Sequence, residues 1–76
     1  PNPANYETSI SYNIEQLADA RIIIHNLLGS EVKNIELNDS EGIAKINVSD
    51  LREGVYFYSL MIDEKLFETR KLMIKR

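Results

Sequence analysis

The chain has 76 residues, nine of them basic and twelve acidic, a formal charge of −3 and no cysteine. This length accommodates one small domain and leaves little room for a large catalytic cleft. The acidic balance argues against a dedicated nucleic acid binder, and the lack of cysteine excludes a disulfide framework and a thiolate metal site. No apolar run approaches the roughly 20 residues that span a bilayer. Because the chain starts at Pro1, we expect it to be a piece of a longer protein.

Short alternating runs of β-branched and aromatic residues predict an all-β chain. The first run predicts a strand with one buried face, formed by Thr8, Ile10, Tyr12 and Ile14. Residues 15–20 are typical of a turn, with one helical turn as the alternative. Residues 21–28 contain three consecutive isoleucines, which predicts a central strand covered on both faces and ended by Gly29-Ser30.

The middle of the chain predicts two further strands. Residues 31–37 form the first, with a bulge or a kink between Val32 and Ile35 because their spacing breaks the alternation. A polar turn at 38–42 follows. The next alternating set is Ala44, Ile46 and Val48, and the polar segment 49–54 is suited to an arch between two sheets.

The end of the chain predicts a hairpin. Residues 55–62 form the strongest strand, residues 63–65 turn the chain, and residues 66–75 return. The first of these strands places Tyr56, Tyr58, Leu60 and Ile62 on one face, and the last places Leu72 and Ile74 on one face with Phe67 and Met73 on the other. Six strands in 76 residues, one about every twelve residues, predict a small antiparallel β-sandwich.

The arch carries a specific local pattern, a leucine five residues before and a glycine two residues before Tyr56. In immunoglobulin-like sandwiches a tyrosine at this place donates a hydrogen bond back to the arch backbone, an arrangement called the tyrosine corner. Gly54 would supply the backbone freedom at the bend. The alternative is that Tyr56 is a core aromatic residue beside a chance glycine.

Residues suited to catalysis are scarce. His25 is the only side chain with an ordinary pKa near neutrality, and it lies among isoleucines, where a packed or edge histidine is the more common situation than a base or a metal ligand. No serine lies in a nucleophile elbow, and the three glycines are scattered one per turn. The sequence therefore predicts a noncatalytic domain without a cofactor or a metal.

Charge is distributed unevenly along the chain. Residues 65–76 carry five basic residues and one acidic residue, a charge of +4, whereas residues 1–64 carry four basic and eleven acidic residues, a charge of −7. Lysines on an edge strand prevent unwanted strand pairing, which is one interpretation. The other is a docking strand whose positive charges select a partner.

Four pieces of the sequence together resemble the C-terminal sorting domain of the type IX secretion system, found at the ends of many proteins exported by Bacteroidota. They are the opening Pro1-Asn2-Pro3-Ala4, the run from Ile22 to Leu27 that closes on Gly29 with Val32 after it, the segment from Leu51 to Tyr56, and the closing segment 71–75. The pieces follow in order at familiar spacing and cover essentially the whole chain.

This resemblance implies that residues 1–76 are one noncatalytic sorting domain at the end of a longer secreted protein, folded as a small immunoglobulin-like antiparallel β-sandwich of about six to seven strands. Such domains reach the periplasm through an ordinary signal peptide and engage the outer-membrane translocon and its shuttle protein. A sortase then cuts the upstream linker and often joins the cargo to an anionic lipopolysaccharide at the cell surface. The residues expected to serve translocon recognition are Pro1, Asn2, Pro3, Gly29, Gly54, Tyr56, Lys71, Lys75 and Arg76.

Two other interpretations stay open at this point. An immunoglobulin-like accessory module that binds a glycan or a neighbouring catalytic domain would need an exposed aromatic platform, for which the candidates are Tyr6, Tyr12, Phe57 and Phe67. A small enzyme is the third class. The exposed last strand also predicts a homodimer formed by strand pairing or swapping.

Overall fold

A computed structural model of the protein describes residues 5–14 and 19–76. The described residues contain six strands: β1 (Glu7–Asn13), β2 (Ala20–His25), β3 (Glu31–Leu37), β4 (Glu41–Asn47), β5 (Gly54–Ile62) and β6 (Lys65–Ile74). No helix long and apolar enough to cross a membrane occurs in these two ranges.

The strands form two antiparallel sheets. β1 pairs with β4 in a two-stranded sheet, and the larger sheet has the order β3-β2-β5-β6. The predicted all-β, immunoglobulin-like sandwich is therefore confirmed. Within the described residues, β3 and β6 are the edge strands of the larger sheet, so the basic C-terminal strand lies at an edge.

One hydrophobic cluster joins the two sheets. Ile10 and Ile46 enter it from the small sheet, and the inward side chains of the large sheet meet them. Those side chains are Ile22 and Ile24 from β2, Leu37 from β3, Tyr56 from β5, and Leu72 and Ile74 from β6. Because alternate residues of each strand point to opposite faces, this cluster fixes which side chains lie on the outer face of the large sheet.

The triple isoleucine lies in a central strand, as predicted. Ile22, Ile23 and Ile24 are all buried, and β2 is flanked by β3 and β5. The predicted extent to residue 28 is wrong, because β2 ends at His25. The side-chain oxygen of Asn26 accepts the backbone N–H groups of Leu28 and Ser30, each at 3.0 Å, and this local bonding turns the chain out of the sheet.

The irregularity predicted in the third strand is a β-bulge. Ile24 pairs with Lys33 while His25 pairs with Glu31, so Val32 is an extra residue of β3. The extra residue shifts Val32 to the face of Ile35 and Leu37, and all three pack on the core.

The β5–β6 hairpin turn contains two residues. Ile62 pairs with Lys65, which leaves Asp63 and Glu64 in the turn with φ of 50° and 66°. Positive φ at both positions is the geometry of a type I′ turn. The prediction assigned Lys65 to the turn, whereas the structure places it in β6.

Candidate functional site

The candidate site is the C-terminal half of β6 together with the segments that hold it. Leu72 and Ile74 are 1% and 2% exposed, and they lie opposite Tyr56 and Gly54 of β5. These two side chains anchor the strand in the core. The alternate residues Lys71, Met73 and Lys75 consequently lie on the outer face of the sheet.

The other basic residues of the last strand are placed differently. Arg70 forms an ion pair with Glu68, and both lie on the same side of β6 as Leu72. The hydrogen bond from Arg70 to the Glu68 carboxylate, reinforced by the attraction between the two charges, raises the pKa of Arg70. Arg70 therefore has its charge balanced by Glu68 within the strand.

Arg76 is folded back onto the arch between β4 and β5. Its guanidinium donates to the carbonyl oxygens of Leu51 and Val48, both at 2.6 Å, and its backbone N–H donates to the Glu53 carboxylate. The same guanidinium lies over the ring of Tyr6, 5.0 Å from its centroid. Arg76 thus closes the C-terminal end of β6 against the arch and against the segment that precedes β1.

The predicted tyrosine corner is confirmed. The Tyr56 hydroxyl donates to the backbone carbonyl of Arg52 at 2.8 Å, and the side chain is buried. Gly54, which starts β5, has φ of +150°, a conformation that favours glycine. Both residues shape the arch that Arg76 contacts, so their contribution to the site is to fix the start of β5 beside β6.

The mid-chain Gly29 lies in a tight turn between β2 and β3. Its φ is +87°, and its N–H donates to the Asn26 carbonyl at 3.0 Å. The Asn26 N–H donates in turn to the Ser30 carbonyl at 3.0 Å. The turn exposes Leu27 and Leu28, which are 69% and 92% exposed.

The structure gathers most of the predicted residues at one end of the sandwich. The strand pairings place the β2–β3 turn, the start of β5 and the end of β6 at the same end of the large sheet. That end thus contains Gly29, Gly54, Tyr56 and Arg76. Lys75 is adjacent to Arg76, and Lys71 lies four residues further into the sheet, opposite Phe57. Pro1, Asn2 and Pro3 lie outside the described residues.

An ion pair ties β3 to the arch. The Lys33 ammonium lies 2.8 Å from the Asp50 carboxylate, and its hydrogen bond lowers the pKa of Asp50. Arg21 forms a similar pair with Asp19 at 3.0 Å, which raises the pKa of Arg21. These pairs are exposed, so their role is to balance charge on the body and not to create a reactive group.

The described residues do not bring together groups suited to catalysis. His25 is half-buried in β2, opposite Phe57 and Glu31. In residues 5–14 and 19–76, no three His, Asp or Glu side chains lie close enough to hold a metal ion. Of the candidate aromatic residues, Tyr6 and Phe67 are the most exposed and lie at opposite ends of the domain, while Tyr12 and Phe57 are half-buried. These four aromatic residues therefore do not form the single exposed platform that a glycan-binding module would need.

Sequence reasoning missed two features of this end of the domain. The Arg76 contacts depend on an arch that is 23 to 28 residues away in the chain, and only the tertiary fold reveals them. The exposed Leu27-Leu28 pair was assigned to a strand. The signal that could have found it is the Asn26-x-x-Gly29 spacing, which is typical of a side-chain-capped turn.

The fold and the site define a small immunoglobulin-like domain with a lysine-bearing edge strand. Its sequence identifies the family: the model described as "Secretion system C-terminal sorting domain" matches residues 1–75, and the chain belongs to that family. No curated protein and no solved structure gives a match. The resemblance found in the sequence is thereby confirmed. The family assigns the chain a role as a type IX secretion sorting signal, which implies contact with the secretion machinery and export of the attached protein.

Proposed function

We propose that residues 1–76 form the terminal domain of a longer exported protein, and that this domain is a noncatalytic address read by the outer-membrane translocon and its shuttle protein. The cargo passes through the periplasm to the cell surface or the medium. A sortase then removes the domain by cutting upstream of Pro1, often with transfer of the cargo to a surface lipopolysaccharide.

The observation that carries this proposal is that the two faces of β6 differ: one is buried in the core and the other carries lysines. Leu72 and Ile74 are anchored in the core, so the strand is held in one position. Lys71 and Lys75 extend from the opposite face, on a body whose residues 1–64 carry −7. A rigid strand with outward positive charge is suited to a receptor with acidic side chains.

The other predicted recognition residues are assigned complementary roles in this proposal. Gly29, Gly54, Tyr56 and Arg76 build the end of the domain that the receptor meets, since each fixes a turn or the arch there. The segment Pro1-Asn2-Pro3 connects the domain to the cargo.

Self-association through β6 is a second partner interaction that we propose. Lys65 to Lys71 are exposed along the whole first half of β6, and in the described part of the chain this strand pairs only with β5. An open edge of this kind favours strand pairing or exchange between two copies. Light scattering of the isolated domain at high concentration tests it, and a strictly monomeric species contradicts it.

The function is tested by fusing residues 1–76, with a short upstream linker, to a periplasm-directed fluorescent reporter in a bacterium that has a type IX system. The control is the same reporter without the domain. The proposal predicts fluorescence at the cell surface or in the medium for the fusion alone. Retention of a folded fusion in the periplasm would contradict it. Deleting residues 71–76 is a poor test, because the deletion also removes the buried Leu72 and Ile74.

A further inference from the structure

The outer face of the large sheet carries apolar side chains beside the two lysines. Tyr56 and Leu72 face the core, so their chain neighbours lie on the opposite face. Val55 pairs with Met73, and Phe57 pairs with Lys71. We call Val55, Phe57 and Met73 the outer patch.

The outer patch is not part of the core that joins the two sheets. Met73 is 37% exposed, and Val55 and Phe57 are half-buried, on the face of the large sheet that points away from the small sheet. A solvated face of an antiparallel sheet ordinarily carries polar residues at such positions. Three neighbouring apolar side chains there, bordered by two lysines, are typical of an interaction surface with a charged rim.

We propose that the outer patch and the lysines Lys71 and Lys75 form one docking face, and that the secretion machinery binds it with an apolar surface bordered by carboxylates. This inference rests on the proposed function. Lys71 and Lys75 are four residues apart, about 13 Å along the strand, with Met73 between them. The partner therefore presents two acidic groups at about that separation, with apolar side chains between them.

Docking through the face differs from strand addition at the edge of β6. Phe57 lies on β5, one strand in from the edge, about 4.8 Å from its β6 neighbour. A strand added to the edge would satisfy backbone groups of β6 and leave Phe57 uncovered. A partner seated on the face covers Phe57 and Met73 together and places its carboxylates beside both lysines.

Charge and shape favour a protein partner over the two other occupants. A second copy placed face to face would bring Lys71 and Lys75 against an equally positive surface, and like charges oppose that contact. Insertion into a lipid surface requires apolar side chains that protrude several ångströms into the acyl region. Val55 and Phe57 are half-buried in a sheet face, so they offer little area for such insertion.

The test compares outer-patch variants of the reporter fusion. Phe57→Gln and Met73→Gln remove apolar surface, and Val55→Thr does so with almost no change of shape. The matched control is Phe67→Gln, on the same hairpin but near its turn, where the phenylalanine is more exposed. We expect each outer-patch variant to lower the exported fraction about tenfold, the effect of losing one buried contact of a hot spot, and the control to stay within about twofold.

Thermal unfolding of the purified 76-residue chain accompanies each export measurement, and a variant counts only if it folds. If Phe57→Gln unfolds the domain, Val55→Thr and Met73→Gln decide the question. Normal export of the folded outer-patch variants, with export lost in Lys71→Glu/Lys75→Glu, overturns the docking face and leaves the proposed function intact. Normal export of the lysine variant as well overturns the role of Lys71 and Lys75 in recognition. The proposed function itself fails only if the unaltered fusion folds and stays in the periplasm.

Two further measurements address the rival occupants. Sedimentation of the chain with vesicles of phosphatidylglycerol and phosphatidylcholine, abolished by both Phe57→Gln and Lys71→Glu/Lys75→Glu, would assign the face to a lipid and overturn the protein partner. A dimer in light scattering that Phe57→Gln dissociates would assign it to a second copy. We expect neither result.

Discussion

The two faces of the last strand differ in burial and in the role we assign to them, although their residues alternate along the sequence. Leu72 and Ile74 are almost fully buried and hold β6 against the small sheet, whereas Lys71, Met73 and Lys75 face outward. Because alternate residues of a strand point to opposite sides, one short segment serves folding with one set and recognition with the other. Changes on the inner face should therefore act on stability, and changes on the outer face should act on export.

The largest expected effect comes from Leu72→Ala. Truncating this buried side chain leaves a cavity and should lower the free energy of unfolding by about 2–5 kcal/mol. The neighbouring Met73→Ala, on the outer face, should cost less than about 1 kcal/mol. Urea denaturation of the two variants measures the difference, and equal losses would contradict the division between the faces.

Removing the Tyr56 hydroxyl should have a smaller effect on the inner side. Tyr56→Phe keeps the ring and loses the hydrogen bond to the Arg52 carbonyl, so we expect a loss of about 1 kcal/mol. Tyr58→Phe removes the same atom two residues further along the same face and serves as the control. If both variants unfold at the same urea concentration, the corner makes no special contribution to the arch.

The hairpin turn offers a way to raise stability without touching the outer face. Glu64 has φ of 66°, which is unfavourable for a residue with a side chain, so Glu64→Gly should gain up to about 1 kcal/mol. Asp63→Gly should gain less, because the Asp63 carboxylate accepts the Asp19 N–H at 3.3 Å. Thermal unfolding measures the stability of both variants, and export of the Glu64→Gly fusion should be unchanged. A changed level of export in a more stable Glu64→Gly domain would show that the turn takes part in recognition.

The smallest effect concerns pH. The Lys33 hydrogen bond lowers the pKa of Asp50, so the folded state binds a proton at this site less readily than the unfolded state. The resulting stability is complete above the ordinary carboxyl pKa of about 4 and is lost as the pH falls through the lowered value. The stability difference between the protein and its Asp50→Asn variant should thus vanish in strong acid, and a constant difference across pH would contradict this assignment. The pair is exposed, so added salt should also shrink the difference.

Much of the fold is encoded by local patterns. Short runs of β-branched and aromatic residues predicted all six strands, and three adjacent isoleucines predicted the central position of β2. The leucine five residues and the glycine two residues before Tyr56 predicted the tyrosine corner. These features depend on side-chain period and turn chemistry, which are visible in a few consecutive residues.

Two kinds of feature were not predictable from the sequence: those in which a side chain competes for backbone hydrogen bonds, and those that depend on contacts between distant residues. Asn26 captures backbone N–H groups and ends β2 early, although the apolar character of Leu27 and Leu28 continues the strand pattern. The sequence shows Arg76 only as another basic residue near the C-terminal end. Its hydrogen bonds to the Leu51 and Val48 carbonyls depend on where the fold places the arch. The outer patch likewise requires the β5–β6 register, which joins Val55 and Phe57 to the strand that carries the lysines.

The measurement that tests the central claim most directly is the export of the reporter fusion carrying Lys71→Glu/Lys75→Glu, with thermal unfolding of the same domain. Lys45→Glu/Lys65→Glu makes the same change in net charge at positions outside the docking face and is the matched control. The account predicts that the first variant folds and stays in the periplasm, while the control is exported. A folded Lys71→Glu/Lys75→Glu domain that still carries its reporter to the cell surface would contradict it.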